Sequence, residues 1–458
     1  MRQTVAAVLL AALLSACAAL EVPGGLERAA PRAALRVPFE TFTLENGLRV
    51  ILSEDRTAPV YTLCVVYDVG SRDERPGRTG FAHLFEHMMF QGSANVGKGE
   101  HFLLVQNSGG SANGTTNAER TNYFETLPSN QLELGIFLEA DRMRALEVTQ
   151  ANFDNQRHAV QEERRLSYDN RPYGRTVEAV HELAYDGFAY KHSTIGSMAD
   201  LSAATLEEAR NFYRSYYAPN NAVLVLVGDF ERATALELIR RYFGAIPPHP
   251  RPPPPPAIEA EQAAERRRTI VDDFARTPRV DIVYRTVPGN TADWYALRVL
   301  GEVLAGDLSS RLYRKLVKEL EVAVRVSSGP EEKRGTSLFW ISLALRPGRD
   351  PEAVERIVYE ELERLAREPV EEWELEKVRL RQRRQQAESL YSSRSRALSL
   401  GHYAVYYGDP DLINKVSDLL ARVGPQDIQR VVTRYFKQNN RSVVWTLPKG
   451  GPAASSGG

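Results

Sequence analysis

Cysteine is almost missing from this chain. Two, Cys17 and Cys64, occur in 458 residues, so no disulfide framework holds the fold. No charge sign prevails: 58 lysines and arginines stand against 59 aspartates and glutamates, a net charge of −1. That excludes the basic footprint of a nucleic-acid-binding protein. Long apolar runs are lacking too. The stretch 5–14 has ten apolar residues, half of the roughly 20 that a membrane-spanning helix needs. What remains is 43% hydrophobic and 26% charged, an ordinary globular balance. The length favours two or more domains.

The first residues read as a targeting segment. Arg2 is a short basic start, 5–14 is its apolar core, and Leu14-Ser15-Ala16-Cys17 resembles a bacterial lipobox, cut before a cysteine that becomes lipid-modified. Residues 1–16 are then a lipoprotein signal peptide and 17–38 a tether with Pro23, Gly24, Gly25 and Pro31. The plainer reading is a secretory signal with a chance cysteine. Ala18 in place of Asp favours the outer membrane by similarity to Gram-negative sorting rules. The expectation is a chain on the periplasmic side, attached to the membrane through lipid at Cys17 alone. Cys64 reads as a small buried hydrophobe.

Folded sequence begins near Phe39. Asn46-Gly47 is a hairpin signal between two short strands, and 60–69 is a third strand. The polar loop 70–80 leads into a helix. The small, flexible run 108–116 precedes an alternating strand at 121–127. Helices are expected over 132–146, 152–166 and 206–216, and a buried strand over 222–228. Eight prolines then fall within 247–256, a stretch that neither continues a helix nor joins a sheet and reads as an extended spacer. The divisions that follow are 39–246, a linker 247–266, 267–448 and a disordered tail 449–458.

The second half repeats the first. Tyr216-Tyr217-Ala218-Pro219-Asn220-Asn221 matches Tyr435-Phe436-Lys437-Gln438-Asn439-Asn440, an offset of 219 (439 − 220). Pro59 and Pro278 give 219 again (278 − 59). Two matches at one offset indicate a duplicated unit.

The expected helix after the loop reads Phe81-Ala82-His83-Leu84-Phe85-Glu86-His87-Met88-Met89-Phe90. His83, Glu86 and His87 share one helical face, and polar groups in so apolar a run need partners. Two histidines at i and i+4 can close on one Zn²⁺, with a nearby glutamate to handle protons. The order H-x-x-E-H is a zinc-peptidase signature, though a helix that merely packs can carry the same residues. Shifted by 219, the three positions become Glu302, Ala305 and Gly306, so the second copy has no ligands. His101, His158, His181, His192, His249 and His402 lack ligand spacing with one another and read as surface or hydrogen-bonded core residues.

With these motifs in hand, the chain resembles the pitrilysin/insulinase family of zinc peptidases over 39–448. The likeness is to its short two-domain form, that of the mitochondrial processing peptidase subunits and their bacterial relatives. The resemblance implies an α+β fold (α/β roll): two duplicated domains, each a mainly antiparallel sheet with helices on one face, arranged as a clamshell. It implies one Zn²⁺ per chain on His83 and His87, with Glu86 as general base toward the water that the ion holds. The family's third ligand is a glutamate about 76 residues after the second histidine, which is Glu163 here (163 − 87 = 76). Helical geometry does not choose between it and Glu162; the family pattern gives Glu163. Gln156 stands where the family often has a further acid. Ala112, Asn113, Gly114 and Thr116 fall in a segment similar to the substrate-binding edge strand, where an extended peptide adds as one more strand. On its own that segment reads as a flexible loop and strand.

One departure bears on partners. Many single-chain members carry in the second half an Arg and a Tyr, seven apart, that grip substrate. Val317 and Val324 occupy those positions here, and Arg311 and Tyr313 have the wrong spacing. The expectation is a zinc-dependent endopeptidase acting on peptides or unfolded segments, as the zinc-bearing half of a heterodimer with a zinc-less homologous partner. A homodimer is the other arrangement. The rival function is a non-catalytic peptide-binding or assembly subunit on the same fold.

Overall fold

The computed structural model describes residues 36–450. The signal segment, Cys17, nearly all of the tether and residues 451–458 of the tail lie outside the described residues.

The Asn46-Gly47 signal forms its hairpin. β1 (Glu40–Thr43) and β2 (Arg49–Glu54) pair antiparallel, and Gly47 takes the turn with φ +87°. Asn46 Oδ1 accepts from the Leu48 N–H at 3.2 Å, while its Nδ2 donates to the carbonyls of Phe243 and Ile246 at 2.8 and 2.9 Å. With β3 (Val60–Tyr67), β4 (Ser111–Thr116), β5 (Thr121–Pro128) and β6 (Ala222–Gly228), the first sheet has the order β1-β2-β6-β3-β5-β4. Only β2 and β6 pair in parallel. The run 108–116, small and flexible by composition but similar to an edge strand by the family resemblance, does contain an edge strand: Ser111 to Thr116 of β4 pair in register with Thr126 to Thr121. Cross-strand pairing overrides the poor strand preference of Asn and Gly.

The second sheet has β7 (Arg266–Asp272), β8 (Arg279–Thr286), β9 (Ala323–Pro330), β10 (Ser337–Leu345) and β11 (Arg441–Pro448) in the order β7-β11-β8-β10-β9. Only β7 and β11 are parallel. The repeat is plain in three dimensions. β8 and β11 begin 219 residues after β3 and β6 (279 − 60, 441 − 222), as helix Pro425–Tyr435 does after Leu206–Tyr216 (425 − 206). Asn221 Nδ2 donates to the Tyr216 carbonyl at 2.8 Å, and Asn440 Nδ2 to that of Tyr435 at 2.7 Å.

The class is the expected one, α+β with two related mixed sheets, but the helical cover goes beyond one face. Leu63, Val65, Leu224 and Leu226 pack on helices of their own half, with Phe85, Met88, Ile136 and Phe153. On the other face, Val66, Val223 and Val225 pack against Ala397, Leu400 and Ala404 of helix Ser393–Tyr407, which belongs to the second half. In return, Val180 and Ala184 of helix Thr176–Ala184 cover Val283, Leu338 and Val444 of the second sheet. The reason lies in the strands: all seven residues of β6 are buried, so one helical layer would leave an apolar face in water. The exchange makes one compact unit of the described residues from Val37 to 450.

The proline-rich stretch has no helix or strand from 247 to 262, yet it is a strap and not a free spacer. Arg251 Nη1 donates to Asp68 Oδ2 at 2.6 Å, and the Thr336 N–H donates to the Ala257 carbonyl at 2.8 Å. Glu259 accepts from the N–H groups of Asp186 and Gly187 at 3.0 and 2.9 Å. Cys64 is buried and unpaired. No described helix is long and apolar enough to cross a membrane.

Candidate metal centre

Helix Phe81–Met88 begins at Gly80, whose φ of +91° is left-handed. A Cβ there would lie 2.7 Å from the Ile195 carbonyl oxygen, so both space and backbone require glycine. The capping carboxylate comes from a distance: Glu74 accepts from the N–H groups of Gly80 and Ala82 at 2.9 and 2.8 Å. His192 Nε2 lies 3.1 Å from the same carboxylate. Phe81, Ala82, Leu84, Phe85 and Met88 are buried, which leaves His83, Glu86 and His87 on the remaining face.

Helix Gln150–Arg164, capped by Thr149, brings Glu163 opposite them. Glu163 Oε2 lies 3.7 Å from His83 Nε2 and 3.3 Å from His87 Nε2. One donor atom from each of the three falls within 4.8 Å of the others. Tetrahedral zinc with bonds of about 2.0–2.2 Å needs donors about 3.3–3.6 Å apart, and the two separations from Glu163, 3.7 and 3.3 Å, come close to that; two imidazole nitrogens and one carboxylate oxygen are a donor set that suits zinc. Glu162 turns away to Arg165, its side chain 64% exposed. Of the two candidate acids, the fold brings Glu163 to the histidines.

The site's charges are set by burial and by one another. Burial, then the neighbouring His87, push His83 down to about 4, leaving it a neutral donor. Burial also works against His87, but Glu163, Glu86 and a hydrogen bond that the ring donates to Gln156 outweigh it and hold that ring above its ordinary value. Gln156 therefore touches a candidate ligand. Burial raises the Glu86 carboxyl, only partly offset by Thr116 and His87.

β4 is an edge strand of the first sheet, at the end opposite β1. Gly114 is buried beside the motif helix: a Cβ there would stand 3.1 Å from Glu86 Cγ. Thr116 lies near enough to Glu86 to lower its carboxyl, and its hydroxyl donates to Thr121 Oγ1 at 3.3 Å. Asn113 is exposed, with its Oδ1 accepting from the Gly114 N–H at 2.9 Å. Ala112 packs partly buried against the core. Sequence reasoning assigned this strand to substrate alone; its contact with Glu86 shows only in three dimensions, as does the Glu74 cap.

Elsewhere, Arg311 is locked to Glu361 at 3.2 Å and Glu374 at 2.6 Å, so it is not free to grip a substrate, and Val324 is exposed. His101, Glu125 and Glu139 form a second, fully buried grouping. Arg142 already supplies its positive charge: it is bidentate to Glu139 and sits over the rings of Phe90 and Tyr123 at 5.0 and 4.4 Å.

The description "Insulinase (Peptidase family M16)" belongs to the family model that matches residues 49–197, and "Peptidase M16 inactive domain" to the one that matches 203–382. The zinc protease PqqE of Helicobacter pylori is 29% identical over 419 residues, covering 89% of this chain and 93% of its own. A crystal structure of a protease from Helicobacter pylori superposes with a TM-score of 0.86 at 28% identity, covering 90% of this chain and 100% of that one. The probable mitochondrial-processing peptidase subunit beta of Schizosaccharomyces pombe is 23% identical, covering 86% of this chain and 88% of its own. With its two related sheets and its His83, His87 and Glu163 cluster, this chain belongs to the peptidase M16 (insulinase) family of zinc proteases.

Proposed function

We propose that the chain is a zinc-dependent endopeptidase in which His83, His87 and Glu163 hold one Zn²⁺ and Glu86 is the general base. The observation that carries this reading is the convergence of those three donors beside Glu86 and an unpaired sheet edge. Zinc, when bound, polarises a carbonyl and acidifies water. Glu86, its carboxyl raised by burial, takes the proton and passes it to the leaving amine. β4 receives the peptide as an added strand along 112–116, with Gly114 and Thr116 beside the base. The chain's retained donor set speaks against a purely non-catalytic role.

Four finer points belong to the same reading. The chain pairs with a homologous, zinc-less subunit that supplies substrate-gripping residues, since Val317 and Val324 offer none and Arg311 is engaged within its own half. It is tethered by lipid at Cys17 on the periplasmic face, the outer membrane favoured. Its halves divide as 39–246 and 267–448. The chamber for unfolded peptides lies between two chains, because the halves of one chain are already packed together. The test is cleavage of a quenched fluorescent peptide by the zinc-loaded chain alone and with such a partner. Cleavage that needs the partner supports the split site; full activity alone removes the partner and leaves the zinc reading in place.

A further inference from the structure

The half without metal ligands reaches into the peptide-binding hairpin. Arg334 lies on the turn between β9 and β10 and contacts the turn between β4 and β5. Its backbone N–H donates to Glu119 Oε1 at 2.8 Å, its Nε to Glu119 Oε2 at 2.8 Å, and its Nη2 to the Glu119 carbonyl at 3.0 Å and to Asp68. Arg72 Nη1 adds a contact to Glu119 Oε2 at 2.8 Å, and the Tyr190 hydroxyl donates to Oε1 at 2.5 Å. Glu119 is 1% exposed. Beside it, Asn117 Oδ1 accepts from the N–H groups of Glu119 and Arg120 at 2.8 and 3.0 Å, closing the turn, and its Nδ2 donates to Tyr406 Oη at 3.0 Å. Tyr406 sits on the exchanged helix Ser393–Tyr407, under the Arg334 guanidinium, 5.7 Å from ring centre to charge.

A buried carboxylate is costly unless every lone pair is met, and four groups meet this one. That is far more than a turn needs to close. The strand it fixes has a neighbour on one side only, and such strands fray unless held. Thr116, the last residue of β4, precedes the fixed turn directly, and Gly114, two residues before it on the same strand, stands against Glu86, where an added Cβ would be 3.1 Å from Glu86 Cγ.

We propose that Arg334 and Tyr406 are positioning residues for substrate: from the metal-free half they hold the β4–β5 turn, so that the edge of β4 is already in register to pair with an extended peptide. This rests on the reading that β4 receives the peptide. It gives the half that lost its ligands a continuing part in the reaction.

The test uses the zinc-loaded mature chain, with its partner if one proves necessary, and the variants Tyr406→Phe and Arg334→Met. Steady-state cleavage is measured on a peptide and on versions N-methylated at single backbone amides. Tyr406→Phe, the milder change, should keep zinc and thermal midpoint. KM should rise about fivefold, the factor of one hydrogen bond, and kcat should change less than twofold. Arg334→Met should move KM further the same way, and Tyr406→Phe decides alone if that variant does not fold. Unchanged KM in Tyr406→Phe, with any loss confined to kcat and thermal midpoint, would overturn the proposal in favour of a purely structural lock. If the unaltered chain cleaves every N-methylated peptide as well as the parent, the β4 reading itself fails and the proposal falls with it. Discrimination against N-methylation with unchanged KM in the variant removes the positioning role alone.

Discussion

Replacing Gly114 with alanine should damage catalysis while leaving the metal in place. The added methyl would sit 3.1 Å from Glu86 Cγ and 3.2 and 3.3 Å from two Tyr123 ring atoms, inside the roughly 3.5–4.0 Å that carbon atoms prefer. Tyr123 cannot recede. It is fully buried, its ring packs on Tyr67 and Phe90 with centroids 5.9 and 5.6 Å away, and its hydroxyl donates to the Phe85 carbonyl at 3.2 Å. The strain therefore falls on Glu86 or on the placement of β4. Overpacking of this kind costs about 1–3 kcal/mol, and strain borne by the reacting geometry lowers kcat/KM by about 5- to 150-fold. His83, His87 and Glu163 are not touched, so zinc content should match the unaltered chain. The assay is kcat/KM on a quenched peptide beside metal analysis and a thermal melt. Activity within twofold of the unaltered chain, with zinc bound, would refute the reasoning.

Glu163→Gln should lose zinc on dialysis, because it removes the one anionic donor of the cluster, whereas Glu162→Gln should keep it, that side chain being exposed and paired with Arg165; metal analysis of the two variants separates them. Leu400→Ala should cost about 2–5 kcal/mol, since Leu400, on the helix that the other half supplies, is fully buried against the first sheet. Denaturant melts should still show one transition, and two separate transitions would contradict the exchanged packing. Glu331 meets His181 Nε2 at 3.1 Å across the same exchange. Burial opposes its charge, yet Lys333 and His181 hold it down at about 2. A depressed carboxyl contributes stability above its unfolded value, about 4.3, and that contribution is lost as pH falls toward 2. Glu331→Gln should flatten the fall in stability over that window, read from melts at stepped pH; an unchanged slope would remove Glu331 as its source.

The halves were legible in the sequence because duplication left matched strings, Tyr216 to Asn221 and Tyr435 to Asn440, that still make the same hydrogen bonds. The metal cluster was legible in part. His83, Glu86 and His87 share a face by local periodicity alone, but Glu163 reaches them from another helix, and its neighbour Glu162 fits a helical pattern equally well. Only the packing of Phe153 and Val160 into the core, which fixes the rotation of their helix, separates the two acids. β4 was legible as an edge strand only through the family resemblance; Ser-Ala-Asn-Gly-Thr-Thr by itself reads as flexible, since its order comes from β5. The exchanged helices escaped altogether. An apolar stripe says that a helix face is covered, not which half of the chain supplies the cover. Arg334 and Glu119 are 215 residues apart, and no short-range pattern links them.

The central claim, that Glu86 performs proton transfer beside a metal held by His83, His87 and Glu163, is tested most directly by Glu86→Gln. Zinc stoichiometry and peptide cleavage are measured together on the variant and the unaltered chain, with the partner subunit present if one proves necessary. The account requires one zinc in each protein, no cleavage by the variant, and loss of the unaltered chain's cleavage when a chelator removes the metal. Cleavage retained by Glu86→Gln, or retained after the zinc is gone, would contradict it.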